Sequence, residues 1–261
     1  MVARHVNYDQ IAPDYDRRFE KGAHDRARTA QTLLDVAACV QARRILEVGC
    51  GTGRWLADLS AIAGCLTGLD LSTGMLRQAR QKGAPLALVR GRGGLLPFAS
   101  RSFDLVYCVN AIHHFDRQRA FVAEACRLLR PGGALVVIGM DPHDRRDDWY
   151  VYDYFEGTYE TDLARFPAWE TVLAWMAEDG FEEVERRPVE RIVDAKVGEQ
   201  VLSDRFLAKQ SCSQLALLSD AAYARGLQRL RAALDRSRAE GETLVFPANL
   251  YIEALVGQMP A

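Results

Sequence analysis

The segment Ile45-Leu-Glu-Val-Gly-Cys-Gly-Thr-Gly-Arg-Trp55 constrains the fold of this chain more than any other stretch. The run over 43–48 reads as a buried parallel strand that carries a single acid. Gly49, Gly51 and Gly53 follow at alternate positions. Glycine tolerates positive φ and leaves the backbone bare for a ligand to approach. A helix starting near Arg54 would aim its free N–H groups and the positive end of its dipole at the loop. Strand, glycine loop and helix in that order make a nucleotide-type cradle at the first strand of a doubly wound sheet. The spacing is not the dinucleotide fingerprint G-x-G-x-x-G: counted from Gly49, Arg54 stands where the third glycine would fall. That count argues against a nicotinamide-dependent oxidoreductase.

Downstream periodicity extends the sheet. Strands are expected at about 65–70, 85–90, 103–109 and 134–140. Helices are expected at about 54–63, 72–82 and 117–129, the last stopped by Pro131-Gly132-Gly133. Such alternation implies parallel strands joined by right-handed crossovers. Past Asp141 the pattern loosens. Residues 142–169 are rich in Asp, Arg, Tyr and Trp, with no strand expected. A helix over 167–179, a strand over 181–192, helices over 195–240 and a strand or strand pair over 243–256 complete the chain. The expected architecture is α/β: a doubly wound, mostly parallel seven-stranded sheet with a helical cap. It is read as one domain over 1–261. Helices in 1–40 form a lid, with Tyr8, Ile11, Tyr15 and Phe19 at helical spacing. The core spans 41–141, and 142–261 holds the cap and last strands, with a helical insertion at 195–240.

The run Glu-x-Gly-x-Gly-x-Gly does not stand alone. Thr67-Gly-Leu-Asp-Leu-Ser72, Leu96-Pro-Phe98, Ser102-Phe-Asp-Leu-Val-Tyr107 and Arg127-Leu-Leu-Arg-Pro-Gly-Gly133 follow in order. Over residues 45–140 this resembles class I S-adenosylmethionine-dependent methyltransferases of the small-molecule type. The resemblance implies S-adenosylmethionine as cofactor and assigns roles. Asp70 would accept the ribose hydroxyl hydrogens, with Ser72 capping the next helix and Leu71 also binding the cofactor. Gly49 and Gly51 would face the amino acid portion, with Cys50 between them also binding the cofactor. Glu47 would brace the glycine loop, attract the methionine ammonium, or do both. Asn110 and Ala111 would border the methionine, and Tyr15 would cover the site. Many relatives carry an acid where Arg92 stands, and arginine cannot accept the adenine amino hydrogen. Backbone groups over 92–95, Gly93 among them, or stacking by Arg92 would replace it.

Methyl transfer from a sulfonium needs alignment more than acid–base chemistry, and a base only where the nucleophile keeps its proton. His114, and after it His113, are the candidate bases; the alternative is packing beside the cofactor. His5, His24 and His143 read as surface residues, with His24 also a candidate lid residue. The aromatic run over 147–155 either walls the pocket or packs the cap onto the sheet. The acids over 144–148 lack metal spacing, so no metal is expected.

The expected function is methyl transfer to a small-molecule acceptor; the alternative is a cofactor-binding protein of this fold that moves no methyl group. A formal net charge of −2 leaves no basic footprint for nucleic acid. Six scattered cysteines without a Cys-x-x-Cys pair suit reduced thiols in cytoplasm. No apolar run approaches the ~20 residues of a membrane span, and the first residues lack a signal core. The expectation is a cytoplasmic protein without nucleic-acid or membrane partners.

Overall fold

The computed structural model describes residues 6–19, 26–62, 64–83 and 86–261. His5 and His24 lie outside the described residues. Five parallel strands form the core of the sheet: β1 (Arg44–Val48), β2 (Cys65–Asp70), β3 (Leu86–Arg90), β4 (Phe103–Val109) and β5 (Leu129–Gly139). Their order is β3-β2-β1-β4-β5. Ile45 is level with Leu66 of β2 and with Leu105 of β4. Beyond β5 lies β8 (Val245–Gln258), antiparallel to it, and beyond that β7 (Glu182–Val197), antiparallel to β8 and so running the same way as the first five strands.

Both faces of the sheet are covered, which is why its strands read as near-continuous apolar runs. Leu46, Val48, Val106, Cys108, Leu135 and Val137 face one core, shared with helices α5 (Gln118–Leu128) and α8 (Trp169–Glu178). Ile45, Leu105, Tyr107, Val136 and Ile138 face the other, beneath α2 (Arg26–Cys39) and α3 (Arg54–Asp58).

Among the described residues the sheet has eight strands rather than the expected seven. The addition is β6 (Asp148–Trp149), in a segment expected to hold no strand. β5 accompanies β8 only as far as Gly139 opposite Glu253, so the start of β8 has an open edge there. Asp148 and Trp149 fill it opposite Asn249 and Ala248. β5 itself starts earlier than expected. The register jumps from Phe103 opposite Leu129 to Leu105 opposite Ala134, so Pro131-Gly132-Gly133 is a bulge inside the strand, with Gly132 at φ 74. Helix α5 ends before it.

β7 and β8 outrun the rest of the sheet as a two-stranded ribbon, down to Val197 opposite Val245. The helical insertion therefore spans 198–244 rather than 195–240, and the last segment is one long strand. The ribbon turns Phe246, Ala248 and Leu250 into a third core with Trp149, Tyr150, Val151, Phe155, Leu215 and Leu230. These residues come from α6 (Tyr150–Tyr154), α9 (Ser213–Ala216), α10 (Asp220–Glu240) and their flanks, with α7 (Thr158–Arg165) alongside. Trp149, Tyr150 and Phe155 are at most 4% exposed. The aromatic run thus holds the cap together.

Candidate active site

The carboxyl ends of β1, β2 and β4 and the segment after β3 line a cavity of about 610 Å³, with Val6, Asn7, Tyr8, Asp9 and Tyr15 along one side. That size suits a small organic ligand. The glycine loop is pinned from below: the N–H groups of Gly49 and Cys50 both donate to the Leu69 carbonyl, at 2.7 and 3.0 Å. Its glycines take φ of 75, 52 and 68. They serve different ends. A Cβ on Gly49 would lie 2.6 Å from the Ala111 Cβ, so this glycine lets the loops after β1 and β4 touch. A Cβ on Gly51 would meet no protein atom within 4 Å; it would enter the cavity.

Asp70 closes the loop. Its Oδ2 accepts the Gly51 N–H and its Oδ1 accepts the Ser72 N–H, each at 2.8 Å. Burial pushes its carboxyl above the ordinary range, and these N–H groups pull the other way. Each oxygen keeps lone-pair capacity for a further donor from the cavity. Ser72 caps α4 (Thr73–Gln81) by accepting the Met75 N–H at 3.1 Å, as its place before the helix suggests.

The covering segment is α1 (Tyr8–Ile11) with a 3₁₀ turn over Ala12–Phe19. Three contacts dock it. Asp9 Oδ1 accepts from the Ser72 hydroxyl at 2.7 Å and the Gly74 N–H at 2.6 Å, bonds that hold its carboxyl below the ordinary range. Asp16 accepts the Thr52 hydroxyl at 2.8 Å and pairs with Lys82 at 2.7 Å. Ile11 and Ala12 pack on Met75. The Tyr8 hydroxyl then lies 2.6 Å from His114 Nε2, the two sharing a hydrogen bond over the cavity.

Of the residues singled out in the sequence, Tyr15, Gly49, Gly51, Asp70, Leu71, Arg92, Gly93, Asn110, Ala111 and His114 line the cavity. Glu47, Cys50 and His113 do not. Glu47 is 1% exposed beneath the loop, where its carboxylate accepts from the Tyr107 hydroxyl at 3.2 Å and from the Leu56 backbone; burial pushes its pKa well up. It braces the start of α3. The Cys50 thiol fills the space left by Gly68, and burial raises its pKa too. His113 stacks on Phe166 at 3.9 Å, turned away from the cavity, and burial keeps it neutral. Arg92 pairs with Asp116 at 2.5 Å, while Gly93 lies against the Phe115 ring. His143 is an exposed residue whose Nε2–H donates to the Phe166 carbonyl at 2.9 Å. Tyr8, Asp9 and Asp116 were not foreseen as site residues. Tyr8 sits 106 positions from His114, and no spacing rule joins them.

Residues 46–137 match the family described as Methyltransferase domain. Residues 46–137 are a methyltransferase domain. The match contains the glycine loop, Asp70 and the loop after β4, and stops short of the cap. A demethylmenaquinone methyltransferase of Tropheryma whipplei (strain Twist) is 34% identical over 146 residues, 53% of this chain and 59% of the relative. A malonyl-[acyl-carrier protein] O-methyltransferase of Methylococcus capsulatus is 34% identical over 201 residues, 72% of this chain and 64% of the relative. The chain thus spans about three fifths of the length of these curated relatives. The crystal structure of the YcgJ protein of Bacillus subtilis superposes with a TM-score of 0.62 at 18% identity, over 90% of this chain and 99% of that one. The methyltransferase domain thus shares its fold with a protein of quite different sequence. Among the described residues no three His, Cys, Asp or Glu side chains gather as a metal site, and no helix is long and apolar enough to cross a membrane.

Proposed function

We propose that this chain transfers a methyl group from S-adenosylmethionine to a small-molecule acceptor. The observation that carries the reading is Asp70 beside Gly51. A carboxylate tied to the glycine loop by one N–H bond stands over open space that a single Cβ would invade. The donor set fits the cofactor. Asp70 would receive the ribose hydroxyl hydrogens, and the bare backbone at Gly51 would take the amino acid portion. The turn over 91–95 and Leu71 would flank the purine, and Asn110 and Ala111 the methionine. When bound, the cofactor supplies an electrophilic methyl group on a sulfonium sulfur.

The chain's own residues orient and shield. Tyr8 and Tyr15 cover the cavity and exclude water. The Tyr8–His114 pair can take up a proton at Nε2 where the acceptor's nucleophile still carries one. Both curated relatives above are named for methylating a small molecule or a carrier-bound one, which supports this substrate class. The near-neutral net charge supports an acceptor other than nucleic acid, and the reduced-thiol cysteine pattern supports a cytoplasmic setting.

Calorimetry with S-adenosylhomocysteine tests the cofactor assignment, and a metabolite screen read by S-adenosylhomocysteine release tests the reaction. Binding at micromolar levels and release with a metabolite are expected. No binding at millimolar levels would end the reading. Given an acceptor that loses a proton, Tyr8→Phe should lower kcat and shift its pH profile while leaving cofactor affinity unchanged.

A further inference from the structure

The ribbon of β7 and β8 leaves one edge open. β7 pairs with β8, and among the described residues no strand lies along its other side. The ladder fixes which backbone groups point that way. Facing residues of an antiparallel pair alternate between exchanging two N–H···O bonds and exchanging none. The Gly198 N–H donates to the Leu244 carbonyl at 2.8 Å, one step past Val197 opposite Val245. Ala195 stands opposite Pro247, which has no N–H to give. Tyr251, opposite Arg191, donates its N–H away from β7, to Asp147 Oδ1 at 2.8 Å. All three observations give one phase. Residues 192, 194 and 196 bond to β8, while Arg191, Val193 and Ala195 aim their N–H and C=O groups outward. The Val197 N–H, next in that row, donates to the Gln200 side chain at 3.2 Å.

The side chains of the outward row face solvent. Val193 is 65% exposed and Val197 44%, and Val245 across from Val197 is 51% exposed. Arg191 and Ala195 are exposed too. The other row turns to the cap, where Ile192 packs on the third core. Edge strands are commonly blunted by prolines, bulges or charges. β7 has its proline and its second bulge at Pro188–Glu190, in its first half. From Glu190 to Val197 the strand is regular, and its exposed row reads Arg-Val-Ala-Val.

The charges of this stretch suit a copy of itself. In an antiparallel pairing centred on Val193, Arg191 meets Ala195 of the second copy and Glu190 meets Lys196, each contact made twice. Moving the centre to Ile192 sets Glu190 against Asp194, and moving it to Asp194 sets that acid against itself. Opposite charges across a strand pair stabilise it and like charges destabilise it. The backbone agrees with the charges: centring on Val193 brings 191, 193 and 195, the outward-aimed residues, face to face.

We propose that two copies of this chain pair through β7, antiparallel and centred on Val193, in a two-fold dimer. Val193 exchanges backbone bonds with its own counterpart, and Arg191 with Ala195 on either side. The two ribbons become one of four strands, and the exposed valines cover one another across the axis. Such an interface is isologous and closes on itself. None of these residues lines the cavity, so the dimer and the cofactor site are separable.

Sedimentation velocity of the full chain, from about 1 μM to about 200 μM, tests this over the range of a weak interface. Wild type should pass from monomer to dimer. Val193→Pro removes an outward N–H and no bond to β8, and proline is tolerated on edge strands. That protein should melt as wild type does and stay monomeric throughout; if it does not fold, Val193→Lys takes its place with the same expectation. Glu190→Lys and Lys196→Glu, each alone, should raise the dimer Kd by at least about tenfold. Mixed in equal amounts the two should recover the dimer, because the mixed pair again sets lysine against glutamate at both ends. S-adenosylhomocysteine affinity should stay within about twofold in every variant. Wild type monomeric at every concentration, a dimer that persists in the folded Val193 variant, or a mixture no tighter than its components would overturn the proposal.

Discussion

Replacing Asp70 by asparagine tests the centre of the cofactor site. Both carboxylate oxygens are committed, one to the Gly51 N–H and the other to the Ser72 N–H. An amide offers one oxygen and one NH₂ group. Whichever way it turns, its NH₂ faces a backbone N–H, so one bond is lost and one ribose hydroxyl loses its acceptor. A hydrogen bond to a charged group is worth about 1.5–3 kcal/mol. Binding of S-adenosylhomocysteine should therefore weaken by about ten- to a hundredfold, read by calorimetry at neutral pH. A pH series sharpens the test. Burial raises the Asp70 pKa above its ordinary 3.8. The ionised form is the better acceptor, so wild-type affinity should fall as pH drops through that raised value. The fall should be absent in Asp70→Asn, which does not titrate. The Asp9 carboxyl, held below 3.8, titrates at lower pH and does not contribute to it. An Asp70→Asn protein with wild-type melting behaviour and affinity within about twofold of wild type would refute the ribose assignment.

The two loop glycines should separate in the same assays. Gly49→Ala drives a methyl group into Ala111 and should lower the melting temperature more than Gly51→Ala, whose cost is the left-handed φ alone, about 1–2 kcal/mol. Gly51→Ala should nevertheless lose cofactor affinity, because its methyl group enters the cavity; equal melting and full affinity would contradict the division of roles. Docking of residues 6–19 should weaken on acidification. Asp9 has a depressed pKa, so its contribution is full above 3.8 and is lost as pH falls through the lower folded value. Proteolysis of that segment should rise in acid, and Asp9→Asn should show the raised rate at every pH. A thiol reagent applied to native protein should modify exposed Cys39 and Cys65 first, and Cys50 and Cys108 only on unfolding; early labelling of Cys50 would contradict its place under Gly68.

Legibility followed the range of the interactions. Strand, glycine loop and acid at the end of β2 were readable because each is a local demand: buried strands show as apolar runs, and left-handed turns show as glycine. Ser72 was readable as a cap for the same reason. The Tyr8–His114 contact, the burial of His113 behind Phe166 and the pairing of Arg92 with Asp116 were not. A histidine pair after a strand looks alike whether its rings face cavity or core. The aromatic run over 147–155 was equally ambiguous. Its placement depends on a ribbon of β7 and β8 that begins far downstream and outruns the sheet.

By itself, the order of residues determined that a parallel α/β sheet would form and that its first turn would lie bare. Those outcomes need only neighbours a few positions apart. Only the tertiary structure decided which glycine opens onto the cavity and which histidine reaches it. Each of those depends on side chains brought together across more than twenty positions, where burial and hydrogen-bond geometry, rather than local propensity, choose among arrangements the sequence leaves equally open.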